Sequence, residues 1–145
     1  MIKLEFKINI NAPRQKVWET MLGKETYKEW TGVSWPSSYY EGEWEKGNNI
    51  RFISPDGSGK LAQLIEHNPF ALSVAKHVAV LNPGGTEDRE SETAKGWIGT
   101  KESYTFTESK DVTELKVRLR PYLTGRRCLK TWPTALKKLK EMCER

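Results

Sequence analysis

Apolar residues occupy every second position from Ile2 to Ile10, separated by Lys3, Glu5, Lys7 and Asn9. Such alternation predicts a strand with one buried face. It breaks at Asn11-Ala12-Pro13, after which Val17, Trp18, Met21 and Leu22 recur at helical spacing. A short helix is therefore expected there, with proline in the first turn, where its missing N–H has no intrahelical partner. A second short helical stretch ends in Tyr27 and Trp30, and Thr31 to Ser38, with Gly32 and Pro36, reads as loop.

Strand-like segments follow at short intervals. Tyr39 to Trp44 and Asn49 to Ser54 flank the turn Glu45-Lys46-Gly47-Asn48, and Pro55-Asp56-Gly57-Ser58-Gly59 leads into Lys60 to Glu66. His67-Asn68-Pro69 turns the chain into Ala71 to Leu81. Loops this short make neighbours antiparallel. Asn82 to Gly96 has no aromatic residue and no apolar side chain larger than alanine, so it is expected to be an unpacked, mobile hairpin loop. Gly99 to Thr107 and Val112 to Arg120 form another hairpin around Glu108 to Asp111, with Leu115, Val117 and Leu119 alternating against Lys116, Arg118 and Arg120.

Pro121 ends that strand, and Leu129, Trp132, Leu136, Leu139 and Cys143 then recur at helical spacing opposite Lys130, Lys137, Lys138 and Lys140. Pro133 leaves two readings open: a helix that begins near Trp132, or a longer one from about Gly125 that proline kinks. The longer helix is favoured, because Tyr122 to Thr131 has an apolar pattern of its own. The order is one strand, two short helices, six strands joined by hairpins, and a long helix. It predicts a single α+β domain over 1–145, whose wide sheet twists and curls around the last helix.

At 145 residues and 37% hydrophobic, the chain can bury a core without staples. No apolar run approaches the ~20 residues needed to cross a bilayer, and the N-terminus lacks the features of a signal peptide, so a cytoplasmic protein is expected. Cys128 and Cys143 on a continuous helix would lie ~22 Å apart, which predicts free thiols. The net charge of +5 is uneven: Lys116 to Arg145 carries net +8 and the rest of the chain net −3. The basic end could attract an anionic partner, but without interleaved aromatics it is better read as a solvated helix face, and no nucleic-acid role is expected.

Several short motifs together resemble the helix-grip proteins of the SRPBCC (START-like) superfamily, particularly the branch of heat-shock-protein ATPase activators. They are Ile8-x-Ile10-x-Ala12-Pro13-x-x-x-Val17-Trp18, Tyr27-x-x-Trp30, Trp44-x-x-Gly47-x-x-Ile50-x-Phe52, Trp97-x-Gly99-x-x-Glu102-x-Tyr104, Thr113-x-Leu115 and Trp132-Pro133-x-Ala135-Leu136-x-x-Leu139-Lys140. The resemblance spans essentially the whole chain. It implies a curved seven-stranded antiparallel sheet gripping the C-terminal helix, with a ligand space between them. It is far less specific for function, because this superfamily hosts binders, transporters, cyclases and co-chaperone domains.

Glu102 and Tyr104 are two apart on a predicted strand and share a face with Phe106, which the resemblance turns inward. A carboxylate beside a phenol can orient or protonate a ligand carbonyl. For Ala71 to Leu81, periodicity alone turns Leu72, Val74, Lys76, Val78 and Val80 inward, whereas the resemblance turns His77 inward among small residues. Both registers stay open at this level. Trp30, Trp35 and Trp97 adjoin predicted loops and are candidates for the rim of the ligand space; Phe52, Leu129, Trp132 and Leu136 are candidates for its walls.

Gly57-Ser58-Gly59-Lys60 looks like the end of a phosphate-binding loop, but Ser54 stands where its first glycine belongs and Leu61 where Ser/Thr belongs. His67 and His77 lack a third ligand at metal-binding spacing, and neither a metal nor another cofactor is expected. The expected function is binding of a small hydrophobic or amphipathic ligand by a monomer or weak homodimer. A cyclase or dehydratase using Glu102, Tyr104 and His77, and a chaperone-related domain with a protein partner, are the alternatives.

Overall fold

A computed structural model describes residues 3–120 and 128–145. Strand β1 (Leu4–Ile10) leads into helices α1 (Arg14–Leu22) and α2 (Lys24–Thr31). Strands β2 (Tyr39–Glu41), β3 (Asn49–Ile53), β4 (Gly59–Asn68) and β5 (Leu72–Leu81) follow, then the two-residue β6 (Glu87–Asp88) and helix α3 (Glu92–Trp97). Strands β7 (Lys101–Ser109) and β8 (Val112–Leu119) precede helix α4 (Cys128–Cys143). The main sheet runs β1-β8-β7-β5-β4-β3-β2, antiparallel throughout, with β6 beside the end of β5. This is the expected α+β architecture: a curled seven-stranded half-barrel with a C-terminal helix.

The corner after β1 is tied down at three points. The Thr113 hydroxyl donates to the Ala12 carbonyl at 2.7 Å in the interior. The Arg14 N–H at the start of α1 donates to Glu108 at 2.8 Å, and the Asn11 N–H donates to Glu144 at 2.8 Å. Pro13 stands just outside the first turn, its carbonyl accepting from the Val17 N–H. At the other end of α1, where carbonyls lack helical partners, the Trp30 indole donates to Met21 O at 2.9 Å and the Tyr40 hydroxyl to Leu22 O at 2.5 Å. Two aromatic residues thus cap α1 and pack at the same time.

The hairpin between β7 and β8 closes with Lys110 and Asp111, both at positive φ (53° and 62°), between the paired Ser109 and Val112. That is the two-residue turn whose twist matches the flanking strands. Strand β7 runs two residues closer to the tip than the sequence implies, while β8 begins at Val112 as expected.

Two expectations need correction. The segment from Asn82 to Gly96 is not an unpacked loop: it forms β6 and α3, and Ala94 is fully buried against β5. Alanine is the size that close helix-to-sheet contact admits, so a lack of large apolar residues did not mean a lack of packing. The Ser91 hydroxyl caps α3 by accepting from the Ala94 N–H, and Asp88 in turn accepts from Ser91 and Glu90. Leu129 is also not on the buried stripe of α4; it is 58% exposed, whereas Trp132, Ala135, Leu136, Leu139, Met142 and Cys143 are buried. It lies at the margin of the stripe, one turn before Trp132.

Pro133 sits inside α4, as in the longer of the two helices; the expected start near Gly125 and the residues from Pro121 onward fall outside the described residues up to Cys128. Among the described residues neither Cys128 nor Cys143 is in a disulfide. The apolar face of α4 meets β1, α1 and α2, and Ser34 ties the loop after α2 to Thr131 O at 2.7 Å. Leu139 is fully buried in this contact. Leu139→Ala is therefore expected to cost about 2–5 kcal/mol of unfolding free energy, read from the urea midpoint.

Candidate functional site

Residues paired across neighbouring strands share a face of the sheet, so the registers identify the inner surface. Leu4, Phe6 and Ile8 lie opposite Leu119, Val117 and Leu115, which lie opposite Glu102, Tyr104 and Phe106. Tyr104 and Glu102 face Ser73 and Ala75 on β5. On the far half, Tyr40 faces Phe52, Phe52 faces Lys60, and Lys60 faces Val80, while Ile50, Ala62 and His77 form the next row. His77 is therefore inward and Lys76 outward.

The β4–β5 ladder has breaks between Leu61 and Ala62 and between Leu64 and Glu66. At the first, Val78 is the extra residue, and the phase of β5 reverses there. Ala79 and Leu81 consequently join Ile53 and Leu61 in an outer cluster, while Val80 turns inward with His77. Neither unbroken register describes this strand.

The buried apolar residues of the inner surface form two clusters. One joins β1, β8 and β7 to α1 and α4 through residues such as Leu115, Trp132 and Leu139; the other joins Tyr40, Ile50, Ala62, Leu64 and Ala75. Partly buried Tyr27 packs against both. Along the seam lie the interior polar groups. The Tyr104 hydroxyl donates to Glu102 at 2.5 Å. Burial, reinforced by the Glu102 charge and by that hydrogen bond, raises the Tyr104 phenol well above its usual range. Burial and the same carboxylate also raise Tyr27.

His77 is 3% exposed, with Nδ1 2.9 Å from the Thr100 hydroxyl. That hydroxyl donates its one hydrogen to Trp97 O at 2.6 Å, so Nδ1 must be the donor and Nε2 of the neutral ring is an acceptor. The His77 backbone is held as well: its N–H donates to Thr100 O, and its carbonyl accepts from the Gly99 N–H. Trp97 packs edge-on to His77 at 5.6 Å, and its ring lies beneath the Lys60 ammonium, 3.6 Å from Nζ to the centroid. Burial lowers the Lys60 pKa, against the Coulombic pull of Glu102 and Cys128. A carboxylate, two phenols, an imidazole and an amine thus converge on one side of the sheet.

The remaining candidates divide by position. Trp132 packs on Trp30 at 6.3 Å, on Trp35 at 5.3 Å and on Tyr104 at 6.4 Å, joining α2, its following loop, α4 and β7. Phe52 packs on Tyr27 and Trp44, and Leu136 is buried beneath α4. Exposed Leu129 stays apart. Lys60 and Tyr27 were not singled out as site residues. The hairpin pairing Phe52↔Lys60 is the signal that places Lys60 inward, since once Phe52 is inward its partner must be too.

Gly57 to Lys60 belongs to the β3–β4 reversal, not to a strand-to-helix phosphate loop. A Cβ on Gly59 would come within 1.8 Å of the Phe52 carbonyl oxygen, so this glycine permits a close strand approach. Among the described residues no group of three metal-binding side chains is present, and no helix is long and apolar enough to cross a membrane. A separate groove of about 620 Å³ lies between the outer sides of β1, β7 and β8, lined by residues including Lys101, Ser103 and Arg118. Arg118 is already paired with Glu5 there, at 2.8 Å.

This architecture is the helix-grip fold. The chain is similar to a solved structure of the Aha1 dimer from Colwellia psychrerythraea, at 18% identity and a TM-score of 0.74, over 99% of this chain and 97% of the other. It is similar also to protein MLL2253 from Mesorhizobium loti (12% identity, TM-score 0.72, 97% and 96% covered). CalU16 from Micromonospora echinospora is a third (14%, TM-score 0.65, 97% and 73%). At these identities the likeness is one of fold. No family model and no curated protein matches the sequence.

Two histidines give the fold a pH dependence. Burial lowers the pKa of His77, with Lys60 adding to the effect and Glu102 and the Thr100 backbone opposing it. Burial likewise lowers His67, which lies 4.9 Å from Trp18 with Nδ1 3.0 Å from the Ser73 hydroxyl. The unfolded chain binds these protons at the ordinary value of 6.5 and the folded chain only at lower pH. Their contribution is complete above 6.5 and declines as pH falls through and below it. Urea midpoints are expected to drop between about pH 7 and pH 5, and His77→Gln should make that slope shallower.

Proposed function

We propose that the protein binds a small amphipathic molecule between the curved sheet and α4. The apolar body would rest on Trp30, Trp35, Trp132 and Phe52, and the polar end would meet Glu102, Tyr104 and His77. The observation that carries this reading is the seam: two apolar clusters separated along a line where inward side chains keep hydrogen-bonding capacity. The Glu102–Tyr104 pair has acceptor oxygen to spare, and Nε2 of His77 is an acceptor. Tyr27, Trp35, Phe52, Lys60, Val80 and Glu102 lie along or beside this seam and are only partly buried. Ligand sites have this composition, mostly apolar with a few orienting polar groups.

The protein would act as a single cytoplasmic domain, monomeric or weakly dimeric. The kinship with heat-shock-protein ATPase activators makes a protein partner the second reading, with the basic C-terminal helix as its contact. Lys138 and Arg145 pair with Glu29, however, and Lys140 pairs with Glu144, so part of that charge is satisfied within the chain. This favours the small-molecule reading.

Native mass spectrometry of freshly purified protein is expected to show a co-purifying small molecule. Glu102→Gln should weaken its rebinding by about tenfold, the loss of one charge-assisted hydrogen bond. Affinity that survives Glu102→Gln while turnover of the bound compound collapses would establish a cyclase or dehydratase instead. A protein captured from lysate equally at low and high salt, with no small molecule bound, would favour the partner reading.

A further inference from the structure

Lys60 has an unusual position for a lysine. The β3–β4 reversal pinches at Gly59, and the next residue lies between Phe52 and Val80 on the inner face of the half-barrel. Its side chain extends over Trp97, whose ring occupies one side of the ammonium at 3.6 Å. Among the described residues no carboxylate reaches Lys60 as an ion-pair or hydrogen-bond partner. Glu102, the acidic group of the same interior, has its Oε2 engaged by Tyr104 and acts on Lys60 only through space. The other charged residues of β4 and β5 nearby, Glu66 and Lys76, lie on the outer side of the ladder.

An amine here is partly withdrawn from water and has gained one aromatic face. An interior cation normally has a counter-ion. Lys60 is on the inner face of the sheet, toward the proposed binding position, so the missing partner is best supplied from there. A single cation suits a singly charged group. A phosphate ester would bring up to two charges close to Glu102 and would ask for more donors than the site offers, since Nε2 of His77 is an acceptor. We propose that the molecule bound between the sheet and α4 is a carboxylic acid that also carries a hydrogen-bond donor for Glu102, held by its carboxylate on Lys60 Nζ with its apolar part directed toward Phe52 and Trp132. This inference deepens the binding reading and rests on it.

The test compares matched compounds that differ in charge: dodecanoate and 2-naphthoate, each beside its primary amide and methyl ester. They displace a fluorescent probe from the full chain at about 0.15 M salt, where exposed charges are screened. Wild type is expected to prefer at least one acid over its amide and ester by about tenfold or more. Lys60→Met should abolish the preference while leaving amide affinity within about twofold, and Lys60→Arg should restore it in part. Lys76→Met, on the outer face, should leave it intact, and thermal unfolding of each variant checks its fold.

Equal affinity for acid, amide and ester in wild type would overturn the carboxylate assignment while supporting the binding reading. An acid preference that persists in Lys60→Met, or disappears in Lys76→Met, would overturn the role of Lys60. Failure of all six compounds to bind would overturn both.

Discussion

The β4–β5 ladder contains two breaks, and the arrangement of the interior depends on where they fall. In an antiparallel sheet the side-chain period is two, so one extra residue reverses every position beyond it. Val78 does this on β5, allowing His77 and Val80 to share the inner face while Ala79 and Leu81 pack outside with Ile53 and Leu61. Residue 65 does the same on β4, and His67 thereby joins Ser73 on the inner side. Bulges also bend and twist the strand pair that carries them, helping a seven-stranded sheet to fold over a helix.

The same breaks account for a polar group of this composition in an otherwise apolar half-barrel. Glu102 and Tyr104 come from β7, His77 from β5 and Lys60 from β4. Each satisfies its hydrogen bonds differently. Tyr104 donates to Glu102, His77 donates to Thr100 and relies on Trp97 O to orient that hydroxyl, and Lys60 rests on an aromatic face. Burial pushes the amine and imidazole toward their neutral forms and holds the phenol in its protonated form. Low dielectric makes such groups responsive to whatever is placed beside them.

How much of this was legible in the sequence depends on the scale of the physics. Period-two alternation in β1 and β8, and the 3.6-residue stripe of α4, are local patterns that packing reinforces, and they lead to the observed fold. The Glu102–Tyr104 pair was legible for the same reason, since two residues apart on a strand means one face. The register of β5 was not, because a bulge is decided by the partner strand; Leu72 to Leu81 contains nothing that marks Val78 as the extra residue. Lys60 was obscured by its glycine-rich neighbours, whose tight reversal looks at first like phosphate chemistry. The Asn82 to Gly96 segment misled because apolar bulk is a poor measure of packing where the buried side chain is as small as Ala94.

That segment has a further consequence for how such a scaffold diversifies. It leaves β5 at Leu81, pairs β6 beside the end of that strand and returns at Thr100, where the Gly99 and Thr100 backbone clasps His77 and Trp97 lies under Lys60. Its two ends are fixed by the sheet and its middle by one small side chain. Substitutions at its exposed positions, such as Glu90 and Lys95, can therefore accumulate without disturbing the core, yet any that displace Ala94 or shift the exit move an imidazole and an indole together. One short connection thus sets the His77 and Trp97 rings at once.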